Sequence, residues 1–203
     1  HSDLLPAEAV EAVRSGAARR QAEAEATSAE RSGTSIIGIH EQEYPGLVRP
    51  AYDPPPVLFV RGTLLPEESG RAVALVGSRA ATPAGRALGR RLARELAAAG
   101  ATVVSGLARG IDSEAHAGAL EAKARTIAVL GSCLDRIYPP EHEALAAAIA
   151  RSGALVSEFP MATPPHKSHF PRRNRILATW GRGVVVVEAG ARSGALVTAR
   201  LAL

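Results

Sequence analysis

Residues 72–110 read "AVALVGSRAATPAGRALGRRLARELAAAGATVVSGLARG", and the order of apolar, glycine-bearing and charged stretches in them decides the fold. "AVALV" is an apolar run of strand length without alternation, the pattern of a strand covered on both faces. Gly77-Ser78-Arg79 interrupts it. Thr82 then offers a helix N-cap, and Pro83 suits the first helical position, where its missing N–H is not needed. Leu88, Leu92 and Leu96 recur at a spacing of four and predict one apolar stripe, with Arg86, Arg90, Arg91 and Arg94 largely on other faces. Gly100 predicts the helix stop. "TVV" at 102–104 opens the next strand, and Ser105 to Gly110 form a second loop of small residues.

The same alternation extends outward. "SIIGIH" (35–40), "VLFV" (57–60), "TIAVL" (126–130), "ALVS" (154–157) and "VVVV" (184–187) are further strand candidates. Helices are expected at about 112–122, 140–151, 171–180 and from 194 onward. Strands alternating with helices predict an α/β fold, Rossmann-like and doubly wound, with a mainly parallel sheet and helices on both faces. Residues 6–32, rich in Ala, Glu and Arg, read as helix ended by Gly33. Residues 1–33 are therefore expected to be a helical remnant or linker, and 34–203 the main domain.

Each later strand is followed by a loop of small or polar residues: 77–79, 105–110, 131–132, 158–160 and 188–194. In a parallel sheet such loops share the carboxyl edge, where open α/β sheets bind ligands. Glycines there let backbone N–H groups approach a ligand, and the helix N-termini beyond favour anions. The expected occupant is a phosphate group.

Composition narrows the classes. Net charge is +4, which permits a polyanionic partner without requiring one. Aromatic residues make up only 3% of the chain, so the position of each is informative. Cys133 is the only cysteine, which excludes an internal disulfide and fits a reducing cytoplasm. No stretch approaches the ~18 consecutive apolar residues of a membrane span.

Several chemistries lack their motifs. "GSRAATPAG" does not match the G-x-G-x-x-G dinucleotide fingerprint, and no G-x-x-x-x-G-K-[ST] loop occurs. Ser78, Ser105 and Ser193 lie in glycine loops without the G-x-S-x-G elbow of a hydrolase. Asp112 and His116, four apart on one helix face, could be a base and its orienter, or a capping carboxylate beside a packed histidine. Cys133 reads as a small filler, and His142, His166 and His169 lack metal-ligand spacing. No cofactor and no metal are expected.

"PHKSHFPRRNR" (165–175) points elsewhere. Lys167, Arg172, Arg173, Arg175 and Arg182 fall between Pro160 and Arg182 with no Asp or Glu among them. Such cations neutralise phosphates. Phe170 stands in their midst, either as a surface for a base to stack on or as a core residue anchoring a helix start. Pro171 restricts Phe170 to an extended backbone just before that helix. Asn174 can hydrogen-bond a backbone or a base.

The chain resembles the DNA-processing protein A (DprA/Smf) family. The matching pieces run in order as "YPGLVRPAYDPPPVLFVRG", "ALVGSRAATPAG", "VVSGLARGIDSEAHAGAL", "TIAVLGSCLDRIYPPEH", "GALVSEFPMATPPHKSHFPRRNRI" and "GVVVVEAGARSGALVTAR". The resemblance implies a non-enzymatic, dimeric, cytoplasmic protein that binds single-stranded DNA. It also implies protection of incoming strands and loading of the RecA recombinase onto them in natural transformation. It places the DNA pocket on Gly77, Ser78, Arg79, Ser105, Gly106, Lys167, Phe170, Arg172, Arg173, Asn174 and Arg175. It further implies one more strand, and often a winged-helix domain, beyond Leu203, so the main domain is expected to be truncated there. Two other readings use the same edge, a nucleotide sensor and a nucleoside-monophosphate hydrolase. The second is disfavoured because "EAGARSGALVTA" has no glutamate after its glycines.

Overall fold

The computed structural model describes residues 6–190 and 193–202. Seven strands form one sheet: β1 (Ser35–Gly38), β2 (Val57–Gly62), β3 (Ala72–Val76), β4 (Thr102–Ser105), β5 (Thr126–Val129), β6 (Ala154–Ser157) and β7 (Gly183–Val186). Their spatial order is β1-β2-β6-β5-β4-β3-β7. The five strands from β6 to β7 are parallel, whereas β2 runs antiparallel to β6 and β1 antiparallel to β2. The Rossmann-like, mainly parallel α/β fold is the one the sequence predicts.

Helices cover both faces. α3 (Pro83–Ala98), α4 (Ile111–Glu121) and α5 (Glu143–Ser152) lie on one face, and α2 (Ala17–Arg31) packs Ala29 there too. α6 (His169–Thr179) and α7 (Gly194–Leu201) cover the other, seating Ile176, Leu177 and Ala195 against Val76, Val104 and Ile127. The winding reverses at β3, whose neighbours β4 and β7 send their chains to opposite faces. A crevice opens at such a reversal.

Local chemistry places the elements. The Thr82 hydroxyl accepts a hydrogen bond from the Gly85 N–H at 3.0 Å, capping α3, and Pro83 occupies its first turn. Gly100, at φ 90°, ends it. β4, β5 and β6 are buried along their whole length, as their unbroken apolar runs require.

Three expectations need correction. The N-terminal helix is two helices, α1 (Ala7–Arg14) and α2, because Gly16 adopts φ 71°, a left-handed conformation that breaks the ladder. The fully buried residues of α3 are Gly85, Gly89, Ala93 and Ala97; Leu92 and Leu96 of the expected stripe pack half-buried against the same core, and Leu88 is exposed. Small residues win there because α3 and α4 approach closely: a Cβ on Gly118 of α4 would stand 2.2 Å from the Arg90 carbonyl oxygen. β7 is not buried on both faces, and Val185 is exposed, because among the described residues β3 is its only sheet neighbour.

Gly118→Ala is expected to lower unfolding free energy by about 1–3 kcal/mol in urea titrations, the usual cost of overpacking against backbone. Gly70→Ala, whose Cβ would meet nothing within 4 Å, serves as the control and should change stability by less than about 0.5 kcal/mol.

Candidate functional site

The loops after β3, β4, β5, β6 and β7 converge at the carboxyl edge of the sheet, as the alternation predicts. Ala191 and Arg192 of the last loop lie outside the described residues. Two of the loop and helix ends already hold an anion of the protein's own. Asp112 Oδ2 accepts hydrogen bonds from the N–H groups of Gly106 (3.1 Å) and Ala108 (3.3 Å). Glu188 accepts from the Thr82 N–H at 3.0 and 3.2 Å and from its hydroxyl at 2.6 Å, at the N-terminus of α3. The Thr82 bonds hold the Glu188 carboxyl below the usual carboxylate range. The N–H groups of Gly106 and Ala108 after β4, and of Thr82 at the start of α3, are thus occupied by the protein's own carboxylates.

Arg173 explains the geometry around Gly106. It is 3% exposed, and its Nη1 donates to the Gly106 carbonyl at 2.7 Å and to the Val129 carbonyl. A Cβ on Gly106 would collide with this guanidinium, so glycine is required there. Burial pushes the Arg173 guanidinium down to about 10, opposed by the Asp112 charge. Burial also pushes the Asp112 carboxyl up, opposed by Arg173 and the two N–H groups.

Two hollows open above this buried base. The larger, of about 720 Å³, lies at the β3–β7 crevice, with Gly77, Ser78 and Arg79 on one wall, Ser193 and Gly194 at the start of α7 on another, and Asp112 and Arg173 on its lining. The second, of about 430 Å³, is lined by Arg79, Tyr138, His166, Lys167, Phe170 and Asn174. Arg79, Asn174 and Gly194 border both, so the hollows form one groove. The Arg79 guanidinium lies 4.9 Å from the Phe170 ring centroid. Tyr138 stands 5.6 Å from the same ring, tilted by 46°.

The named residues divide. Gly77, Ser78, Arg79, Lys167, Phe170, Arg173 and Asn174 line the groove. The Ser105 hydroxyl is buried and donates to the Leu75 carbonyl at 2.6 Å, which ties β4 to β3. Arg172 and Arg175 converge on one Glu158 oxygen at 2.9 and 2.7 Å, and Arg175 also bonds Asp53 at 3.0 Å. The acid-free segment is therefore partly neutralised by acids from elsewhere in the chain. Arg79 and Lys167 are exposed and form no ion pair among the described residues. Phe170 lies inside the first turn of α6, which begins at His169 rather than at Pro171. Pro171 is tolerated there because a first-turn N–H has no helical acceptor. Tyr138, 38% exposed in the same groove, is a residue that the sequence reading passes over. An aromatic ring beside a proline in the loop after β5 is the feature that marks it, as at Phe170.

The histidines and the cysteine take no part in a reactive cluster. Asp112 and His116 do not pair. His116 Nδ1 bonds Thr126 Oγ1 at 2.8 Å, and that hydroxyl donates to the Val103 carbonyl, so Nδ1 carries the proton. Nε2 is buried without a partner. Cys133 Sγ donates to the Thr163 carbonyl, and burial pushes the thiol up to about 11. His169 stacks on Phe159 at 4.1 Å. No group of three metal-ligating side chains occurs among the described residues, and no helix among them is long and apolar enough to cross a membrane.

A Rossmann-like sheet with a groove of unpaired cations and aromatic rings at its carboxyl edge defines the class. The family model described as DNA recombination-mediator protein A matches residues 35–203. The chain is 42% identical over 171 residues to the DNA processing protein DprA of Bacillus subtilis, covering 84% of this chain and 58% of that one. It is 47% identical over 175 residues to protein Smf of Escherichia coli, covering 86% and 46%. The X-ray structure of DprA from Streptococcus pneumoniae superposes with a TM-score of 0.77 at 38% identity, over 83% of this chain and 59% of that one. DprA from Helicobacter pylori, described for its single-stranded DNA binding mode, superposes at 0.75 with 34% identity, over 83% and 75%. The chain belongs to the DprA/Smf family. It spans about half the length of the curated relatives it matches.

Burial, then the neighbouring His142 and Arg173 charges, pushes His116 down to about 3 from 6.5. On acidification the unfolded chain takes up this proton first. The stability it secures is complete above pH 6.5 and is lost as pH falls toward 3, by at most about 1.4 kcal/mol per pH unit. His116→Asn should be less stable at pH 7 yet show a shallower loss between pH 6 and 4 in urea titrations. Equal slopes in both proteins would contradict the assignment.

Proposed function

We propose that the protein binds single-stranded DNA along the joined hollows at the carboxyl edge and acts on it without catalysis. The observation that carries the reading is the pairing in one groove of two unpaired, exposed cations, Arg79 and Lys167, with the rings of Phe170 and Tyr138. Cations hold phosphates, and aromatic faces stack bases only where those bases are free of a partner strand. The binding mode described for the Helicobacter pylori relative supports the same class of ligand. In this reading Gly77, Ser78, Asn174 and Arg173 shape the inner wall. Ser105 and Gly106 act from beneath, by holding the strand end and admitting Arg173. Arg172 and Arg175 contribute field through Glu158 rather than free charge. A non-enzymatic role is supported by the engagement of the edge carboxylates, Asp112 and Glu188, with N–H groups and by the burial of His116.

The wider role follows from membership of the family. The protein is proposed to protect incoming strands and deliver them to the RecA recombinase in natural transformation, as a cytoplasmic homodimer. RecA filament assembly on single strands coated with a single-strand-binding protein should accelerate when the protein is added. No acceleration would remove the loading role while leaving the binding role intact.

Titration with oligo-dT and with duplex of equal length tests the binding. The single strand should bind at least severalfold more tightly. Arg79→Ala and Lys167→Ala should each weaken oligo-dT binding severalfold and flatten the log K against log salt plot by about 0.7, the contribution of one phosphate contact on a single strand. Wild-type affinity and slope in both variants would overturn the assignment.

A further inference from the structure

We propose that Glu25 of α2 and Asp135 of the loop after β5 are positioning residues for DNA binding: together they clamp the turn at 160–163 and so hold Lys167 over the groove. This rests on the single-strand reading above and concerns how one of its cations is placed. Lys167 lies on a strap, residues 163–168, that belongs to no helix or strand. Pro164 and Pro165 stiffen the strap by fixing φ. Pro165, His166 and Lys167 border the outer hollow. At its far end the strap enters α6, where the His169 N–H donates to the His166 carbonyl at 2.9 Å. Whatever sets its near end therefore sets where the Lys167 ammonium reaches.

The near end is a turn, closed by the Thr163 N–H donating to the Pro160 carbonyl at 3.3 Å. Its third residue, Ala162, stands at φ 62°, a left-handed conformation that glycine usually supplies in such turns. An alanine is strained there, so the surroundings must maintain it. Three consecutive residues of the turn are gripped by side chains from elsewhere. Glu25 Oε1 accepts from the Met161 N–H, and both Asp135 oxygens accept from the Ala162 N–H, at 3.1 and 3.2 Å. Cys133 Sγ donates to the Thr163 carbonyl at 2.8 Å. Hydrogen bonds from N–H to a carboxylate are roughly twice as strong as neutral ones. The Met161 side chain is buried in the cluster that holds Ala29 of α2 and Leu134. Arg61 fastens the rear of the assembly, donating to the Leu134 carbonyl at 3.0 Å and to the Thr34 hydroxyl at 3.3 Å. Two carboxylates on the turn that leads into the groove repel a polyanion, so their value lies in where they put the strap. In this arrangement α2 is part of the DNA site, although it contributes no residue to the lining of the two hollows.

The sign of the effect separates the two roles a carboxylate can have here. A bystander charge near the groove repels DNA, so its removal should tighten binding slightly; loss of a positioning carboxylate should weaken binding. Wild type, Lys167→Ala, Asp135→Ala, Asp135→Asn, Glu25→Ala and the double variant Asp135→Ala with Lys167→Ala are titrated with oligo-dT at several salt concentrations, after thermal melts confirm folding. Asp135→Ala and Glu25→Ala should each weaken binding about two- to fivefold and flatten the log K against log salt plot toward that of Lys167→Ala, by up to about 0.7. Asp135→Asn, which keeps a carbonyl acceptor for the Ala162 N–H, should weaken binding less than Asp135→Ala. In the Lys167→Ala background, Asp135→Ala should cost no further affinity, because the contact it positions is already gone. Unchanged or tighter binding in either single alanine variant would overturn the assignment of that residue. Equal losses from Asp135→Ala with and without Lys167 would mean general damage to the groove and would overturn the proposal. Wild-type binding by Lys167→Ala would instead sink the place given to Lys167 in the single-strand reading, and this proposal with it.

Discussion

The structure depends on one buried guanidinium. Arg173 reaches from α6 beneath Gly106 and bonds the carbonyls at the ends of β4 and β5, with Asp112 supplying the opposing charge. A buried ion is costly to desolvate, so Arg173 depends on the carbonyls it bonds and on the nearby Asp112 charge to compensate it. The arrangement therefore contributes little net stability but fixes geometry. It pins the start of α6 to the sheet, and the first turn of α6 carries Phe170, with Lys167 just before it. The requirement for glycine at 106, the depressed Arg173 and the position of the groove's inner wall are consequences of that single placement.

A second constraint acts on charge. Glycine loops and helix starts at a sheet edge attract anions, and this protein supplies two of its own, Asp112 and Glu188. A third carboxylate, Glu158, is 2% exposed at its side chain and takes up Arg172 and Arg175. The edge is thus partly neutralised from within at its base. Among the described residues lining the groove, the exposed cations without an ion pair are Arg79 and Lys167, toward its rim and beside the rings.

How much of this was legible in the sequence follows from which interactions are local. The Thr82–Pro83 start of α3 and its Gly100 stop depend on neighbours in the chain and could be read directly. The runs of β4 to β6 could be read because covering both faces of a strand removes alternation. β7 carries a similar valine run yet sits at an edge, since composition does not record which strands find two partners. The leucine stripe of α3 reads true at Leu92 and Leu96 and fails at Leu88, and the Gly/Ala face goes unread because the close approach of α3 to α4 selects absence of side chain instead of bulk. At the site, Lys167, Arg172, Arg173, Arg175 and Phe170 share one eleven-residue segment and are plain to see, and Arg79 stands in the glycine loop after β3. The acids that neutralise two of those cations come from 14 to 122 residues away, and Tyr138 from a different loop, so only the fold brings them in.

The division between inner neutrality and outer rings bears on selectivity. Single and double strands both present phosphates, and a duplex presents them more densely, so a groove that relied on charge would favour duplex DNA or bind both. Engaging Arg172 and Arg175 with Glu158 lowers the share of affinity that any polyanion can claim. What remains is contact with base faces, which a duplex hides in its own stack. On the proposed function, then, the internal carboxylates have a part in specificity. By holding Arg172, Arg175 and the loop N–H groups away from phosphate, they leave discrimination to the aromatic surface, where only an unpaired strand has anything to offer.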